Sequence, residues 1–440
     1  MATTTKHPEN LAEEAKLLRE FDKAMPSQGL GKDPDDDCAS DYAVDASYDR
    51  APNDVVDDVI DADGSGWILN MTTDYGDGRK KMFITYMTEQ HTRRVTITHS
   101  DATLISLSEQ YGLPSVHSYD KARLIYEAIR DSLCEINFYE TVTNLSLDFD
   151  DRLHIHVCKE TGEIIRDQPV SKIQYLEGIR TFEKSNIVVV SHISGFVYQV
   201  KTRDDDKVPI MKEIPSPAVL DRFFYKIKAL YENRHSKGII DMEGIVVDSS
   251  PRSPSSDSPD GPDIPHSQTQ RIQAVLIAFA NNGLLADWIY NYKEELAPWE
   301  TVVKWVRQLT GGLSDLHESG FVHGDFTLSN IVLSRDNAKI IDINRCGCPK
   351  GWHTPEMQRC IENGEEIELF IGVKSDIFQL GMVLWSLGEW VDEPEIRRPL
   401  TQKSERWASA PKWFKKVVED CLSDKLQDRP SAKDILDKFP

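Results

Sequence analysis

Positive charge is scarce in this chain. Its 440 residues carry 51 Lys and Arg against 73 Asp and Glu, for a net charge of −22. A surface of that sign does not gather phosphates, so nonspecific nucleic-acid binding is excluded as a function class. Long apolar runs are missing too: none reaches the length needed to cross a bilayer, and the opening MATTTKHPENLAEE lacks the pattern of a secretory signal. Cysteine is sparse, seven in all, odd in number and irregular in spacing. That argues against a disulfide framework and for a reducing compartment. These absences lead to the expectation of a soluble protein of the cytoplasm or nucleus, with no membrane partner. The length allows two domains or three lobes.

Patterning divides what is present. Residues 1–65 begin with a helical pattern over 10–25 and continue as an aspartate-rich tract over 33–63, read as an acidic, largely disordered tail. Asp61, Asp63 and Ser65 imitate the start of a calcium loop. Thr72 stands where a bidentate Glu is required, so the segment reads as a turn feeding a strand. Residues 66–184 read as a compact α+β domain. GWILNMTT, KMFITYMT and RRVTITHS alternate apolar and polar residues as half-buried strands do. Helices are expected over 101–111 and 119–134, and further strands at INFYETV, NLSLDF and LHIHVCK. His154, His156 and Cys158 share one face of the last strand; with no fourth ligand at metal spacing, a packed or solvated face is the plainer reading. No chemistry attaches to this domain, so it is expected to be an interaction module that receives a regulatory partner.

From residue 186 the pattern changes. NIVVVSHISGFVYQVKTRDDDKVPIMKEI reads as three strands with Lys212 near the end of the third. A helix is expected over 216–233, a strand over 238–248, a Ser/Pro/Asp-rich disordered insert over 249–267, and a closing strand in AVLIAFANN. Together these give a sheet lobe over 186–282. Residues 283–440 are dominated by helical patterns, at 284–292, 299–319, 375–390, 412–423 and 431–439.

The most informative stretch is FVHGDFTLSNIVLSRDNAKIIDIN, residues 321–344. It holds His323-Gly324-Asp325, Asn330 five residues after that aspartate, and Asp342 at the end of an apolar run. Two carboxylates and an amide at this spacing suit phosphoryl transfer. One acid orients the attacking hydroxyl, while the amide and second acid hold Mg²⁺ against nucleotide phosphates.

With those elements placed, residues 186–440 resemble the eukaryotic protein kinase domain, because several spaced motifs occur in the right order. Asp325 with Asn330 resembles the catalytic loop, and Asp342-Ile343-Asn344 occupies the DFG position. Thr354-Pro355-Glu356 resembles the APE motif, and residues 375–381, SDIFQLG, resemble the start of the helix that anchors the catalytic loop. Arg429 stands where the family's arginine pairs with that glutamate, here Glu356. The resemblance implies an α+β, two-lobed protein kinase-like fold with an additional N-terminal α+β domain. It implies Asp325 as catalytic base, Asn330 and Asp342 as Mg²⁺ ligands, and Lys212 on the α- and β-phosphates of ATP. Gly195 and Val197 would lie over the nucleotide, Ile277 behind the adenine, and the backbone of Ala278 and Ala280 along its edge. The substrate would be a protein hydroxyl, Ser or Thr rather than Tyr.

Departures from the family pattern carry information. The glycine-rich loop retains only Gly195, Thr327 replaces the lysine two residues after the base, and Gly324 replaces the usual arginine. Lys226 falls where the helix glutamate that pairs with Lys212 is expected, and two lysines cannot form that ion pair. Residues 345–353 offer no Ser, Thr or Tyr, which points control toward the N-terminal domain or toward Ser250, Ser253 and Ser258, each followed by proline. Cys346, Cys348, His353 and Cys360 lack standard zinc spacing and read as loop thiols. The alternative to an active kinase is a pseudokinase serving as a nucleotide-binding or scaffolding protein. A small-molecule kinase is a third reading, which the Thr354–Glu356 and SDIFQLG blocks oppose.

Overall fold

The computed structural model describes residues 58–60, 66–88, 92–110, 118–203, 207–250, 270–365, 367–392, 394 and 400–439. The helical pattern over 10–25, most of the acidic tract, the calcium-loop imitation up to Ser65, and Ser253 and Ser258 lie outside these residues. The chain forms two compact units, one of residues 48–220 with 243–277, the other including 221–242 and 278–440.

The first unit contains two six-stranded sheets that share no strand. In the first sheet β1 (Asp58–Ile60), β2 (Gly66–Asp74), β3 (Arg79–Met87) and β4 (Thr92–Ser100) run as an antiparallel meander. Two helices, α1 (Asp101–Gln110) and α2 (Ser118–Ile129), then return the chain so that β5 (Val142–Phe149) pairs parallel to β4. A tight turn with Asp151 at φ 98° leads into β6 (Leu153–Lys159). Alternation sorts the side chains: Trp67, Met82, Ile84, Val95, Ile97 and Leu145 face a core completed by Leu107, Leu124, Ile125 and Ile129 of the helices.

INFYETV does not form the expected strand; pairing begins only at Val142. Its apolar residues are satisfied otherwise. Ile136 and Phe138 pack on the core from irregular backbone, and Phe138 stacks on Tyr86 with centroids 5.2 Å apart. The strand bearing His154, His156 and Cys158 is present, but its histidines face carboxylates: His154 contacts Asp150 at 2.7 Å and His156 contacts Asp148 at 3.6 Å. No group of three or more His, Cys, Asp or Glu placed to hold a metal occurs among the described residues.

The second sheet takes the order β7–β11–β12–β10–β9–β8. Its strands are β7 (Thr181–Glu183), β8 (Ile187–Ser194), β9 (Val197–Thr202), β10 (Ile210–Glu213), β11 (Met242–Asp248) and β12 (Arg271–Ile277). The strand expected from residue 238 starts at Met242. β7, too short to show periodicity, joins β11 in parallel. The sheets meet through a common apolar cluster in which Ile68 packs with Phe182, Tyr198, Val200, Met211 and Val246.

The second unit opens with α3 (Leu220–Glu232), counting its first residue with it, and is otherwise helical: α4 (Leu285–Asn291), α5 (Trp299–Glu318), α6 (Pro355–Asn363), α7 (Val373–Glu389), α8 (Glu405–Ser409), α9 (Lys412–Cys421) and α10 (Ala432–Leu436). A small hairpin, β13 (Ile331–Ser334) with β14 (Asn337–Ile340), interrupts it. α5 buries Val302, Trp305, Val306, Leu309, Leu313 and Leu316, the stripe of an amphipathic helix. α7 is buried on every side from Ser375 to Gly388, so it forms the centre of this unit. Gly238 and Gly312 allow the segment after α3 to lie against α5, since a Cβ on Gly238 would fall 2.1 Å from the Gln308 carbonyl oxygen. Among the described residues no helix is long and apolar enough to cross a membrane.

Candidate active site

α7 organises the loop that holds Asp325. The Asp376 carboxylate, wholly buried, accepts from the backbone N–H of His323 at 2.7 Å and of Gly324 at 2.8 Å. His317 Nε2 reaches the same carboxylate at 2.9 Å. One turn on, Gln379 accepts from the Phe326 N–H at 2.7 Å. Buried donors and acceptors are thus paired across a span of some fifty residues, and the loop backbone is fixed. His323, fully buried, is pushed down by desolvation and stays neutral. Its partners set the tautomer: Nε2 donates to the Ile341 carbonyl at 2.8 Å, and Nδ1 accepts from the Asp325 N–H at 3.3 Å.

Gly324 is needed for two reasons. Its φ is +83°, and a Cβ there would meet the Cys346 carbonyl oxygen at 2.7 Å and Arg345 Cα at 2.9 Å. The space and the backbone conformation that the family's arginine would need are both unavailable.

Asp325 and Asn330 are brought together directly. Asn330 Nδ2 donates to the Asp325 carbonyl and to its Oδ2, each at 2.8 Å. Asp325 Oδ1 is buried with no hydrogen-bond partner. Burial pushes this carboxyl up to about 7, while the Asn330 bond pulls it down and the nearby Asp342 and Asp376 raise it further. Thr327, in the lysine's place, is buried, and its carbonyl accepts from the Asn330 N–H. An orphaned buried oxygen on a carboxyl that titrates near neutrality is what an acceptor for a hydroxyl proton requires.

Asp342 adjoins this pair through its neighbour, as Ile341 N–H donates to the Asn330 carbonyl at 2.9 Å. Its φ of +57° is unusual for a residue with a side chain, a strain of the kind that collects at functional sites. The sequence did not foretell the next contact: Lys226 Nζ lies 2.8 Å from Asp342 Oδ1, with both side chains largely buried. Lys226 therefore has a carboxylate partner in place. α3 is carried to that point by Tyr225, whose hydroxyl donates to the Val322 carbonyl at 3.0 Å and accepts its N–H at 2.8 Å. Asn233 and Ser319 bond one turn pair further along.

Donor chemistry at Asn330 and Asp342 fits Mg²⁺. With Nδ2 engaged, Asn330 has its amide oxygen left to offer, and Asp342 offers a carboxylate. Two hard oxygen donors suit an ion that takes its remaining ligands from phosphates and water. Cys346 bonds Asn344 Oδ1 through both its N–H and its Sγ, and His353 Nε2 contacts the Cys348 carbonyl, so these groups serve the loop's own turns.

Lys212 and Gly195 belong to the sheet-containing unit. Lys212 is buried on β10, opposite Val197 of β9 and Val275 of β12. Gly195, at φ +54°, turns the β8–β9 hairpin. Sequence reasoning missed its tether: Asn70, on the bulge of β2, donates from Nδ2 to the Gly195 carbonyl at 2.7 Å and to the Tyr198 hydroxyl at 2.8 Å. Thr85 Oγ1 donates to Asn70 Oδ1 at 2.7 Å. Arg94 adds bonds to the Ile214 carbonyl at 2.7 Å and to Glu213, and lies over the Phe196 ring. Ile277 ends β12, opposite Ile210. In the other unit the Ala278 N–H is already donated to the Asp241 carbonyl at 2.9 Å.

The buried ion pair implied by the resemblance is present. Arg429 grips Glu356 with two bonds of 2.6 and 2.8 Å, both side chains shielded from solvent, and stacks over Phe378 at 4.8 Å. Thr354 caps α6 by accepting from the Met357 N–H, and is itself wholly buried.

A family model described as the protein kinase domain matches residues 193–439, more than half of the chain. Over 180 residues the chain is 28% identical to the serine/threonine-protein kinase Nek7 of Arabidopsis thaliana, covering 37% of this chain and 31% of that protein. It is 23% identical over 200 residues to the mitogen-activated protein kinase kinase kinase mom-4 of Caenorhabditis elegans, covering 42% and 32%. It is 27% identical over 180 residues to the serine/threonine-protein kinase Nek9 of Xenopus laevis, covering 37% and 19%. The matched stretch spans less than a third of the length of each of these relatives.

Proposed function

The chain belongs to the protein kinase family, and from that premise we propose that it is an active enzyme moving the γ-phosphoryl group of ATP to a Ser or Thr hydroxyl of a protein. The observation that carries this reading is the Asp325–Asn330 pair, with Asp325 Oδ1 buried and without a hydrogen-bond partner and its carboxyl raised to about 7. Asp325 receives or orients the substrate hydroxyl, and Asn330 holds that carboxylate in its orientation while presenting an amide oxygen with Asp342. Mg²⁺ bound there supplies positive charge against the phosphate oxygens. Lys212 neutralises the α- and β-phosphates; Gly195 and Val197 cover them; Ile277, the Ala278 carbonyl and the Ala280 backbone receive the base. The names of the relatives support Ser/Thr over Tyr. The Asn70 tether on Gly195 supports control of nucleotide binding by the N-terminal sheet and a partner bound to it.

A second reading, a nucleotide-binding scaffold without turnover, is favoured by one observation: a lysine already occupies Asp342. Purified protein separates the two. As an enzyme, it turns over ATP with Mg²⁺, and Asp342→Ala abolishes turnover because the phosphate charge is left unneutralised. As a scaffold, neither protein turns over, although both fold.

A further inference from the structure

α3 is fastened to the loop that carries Asp325. Tyr225 is bonded to both backbone groups of Val322, its ring meets Phe321 edge-on at 5.2 Å, and Asn233 exchanges two bonds with Ser319. Lys226 follows Tyr225 directly, and Asn233 lies seven residues later, just past the end of α3. The ammonium is therefore delivered to Asp342 Oδ1 by contacts on both sides of it. It comes to rest at 2.8 Å in a setting where only 17% of its own side chain and 26% of the aspartate's is exposed. Asp342, meanwhile, holds a left-handed backbone conformation. A carboxylate fixed so firmly, with a cation already against it, is not open to a second cation at no cost.

We propose that Lys226 is the resident counter-ion of Asp342 and a positioning residue for it, so that a divalent metal competes with the lysine for this carboxylate and displaces it on binding. This rests on the role of Asp342 as a metal ligand proposed above. The lysine takes Oδ1 and sets a positive charge beside Oδ2, so a metal on either oxygen meets like-charge repulsion and each cation binds at the other's expense. The lysine keeps Asp342 oriented and neutralised while no metal is bound. It also weakens metal binding relative to a site with no cation on that helix. Displacement frees Lys226 from the only carboxylate shown to pair with it among the described residues, which ties metal loading to the seat of α3. A glutamate at position 226 would instead press a second carboxylate against Asp342.

Metal affinity, read without any phosphoryl transfer, tests this. Mn²⁺ is titrated by electron paramagnetic resonance into full-length protein saturated with a non-hydrolysable ATP analogue. Wild type is compared with Lys226→Met, Lys226→Arg and Asp342→Asn. Lys226→Met keeps the length and apolar stem, and Lys226→Gln is the second choice should the methionine not fold. The inference expects Lys226→Met to bind Mn²⁺ about tenfold more tightly than wild type, within the roughly 5–150-fold range of coupling between two ligands. It expects Lys226→Arg to stay near wild type and Asp342→Asn to weaken binding in every background. Equal affinity in wild type and Lys226→Met, with Asp342→Asn still weakening both, overturns the displacement and leaves Asp342 as a ligand. No effect of Asp342→Asn overturns both.

Discussion

Asp325 is held between two opposing effects. Burial pushes its carboxyl up to about 7, and the Asn330 donor favours its ionised form. The proton-accepting role proposed for it requires the ionised form, so turnover should rise between about pH 6 and pH 8 as it loses its proton. In Asp325→Asn turnover should fall by about 10²–10⁴-fold and that rise should vanish; a pH–rate profile of both proteins checks it. Stability moves in the opposite sense. Because the folded value is raised above 3.8, the native state gains from the protonated form, and that contribution is lost as pH rises through about 7. Denaturant unfolding at acid and alkaline pH should therefore show wild type losing stability with rising pH at this group, and Asp325→Asn not losing it.

Contacts between elements separate what a sequence discloses from what it hides. Glu356 and Arg429 are buried together, and removing one strands the other's charge. Arg429→Ala should cost about 3–5 kcal/mol in denaturant unfolding, and adding Glu356→Ala should cost less than the two single changes combined. Asn70→Ala should cost about 1–3 kcal/mol by leaving the Tyr198 and Thr85 hydroxyls short of partners. It should also speed hydrogen exchange at residues 193–196; unchanged exchange there would remove Asn70 as the tether. Asp325 and Asn330 were legible because five residues of loop suffice to bring them together. The α7 anchors were legible as a motif at fixed spacing. Lys226 and Asp342 lie 116 positions apart, and Asn70 and Gly195 lie 125 apart, so nothing local records either contact. INFYETV misled because apolar alternation also serves a segment that packs side chains without pairing its backbone. β7 is three residues long and carries no period to detect.

At the scale of the molecule, the proposed site residues fall in two compact units. Lys212 and Gly195 lie in one, and Asp325, Asn330 and Asp342 lie in the other. The N-terminal sheet shares an apolar cluster with the strands that bear Lys212 and Val197, so it belongs to the same unit as the proposed nucleotide cover. We propose phosphate transfer to protein despite a glycine-poor loop and a lysine on α3. Transfer of labelled γ-phosphate from ATP to a basic acceptor such as histone tests it most directly, with wild type, Asp325→Asn and Asp342→Ala measured under the same Mg²⁺. Wild type should yield labelled phosphoserine or phosphothreonine, Asp325→Asn about 10²–10⁴-fold less, and Asp342→Ala none. Wild-type protein that binds ATP and labels nothing, or variants that label as wild type does, would contradict it.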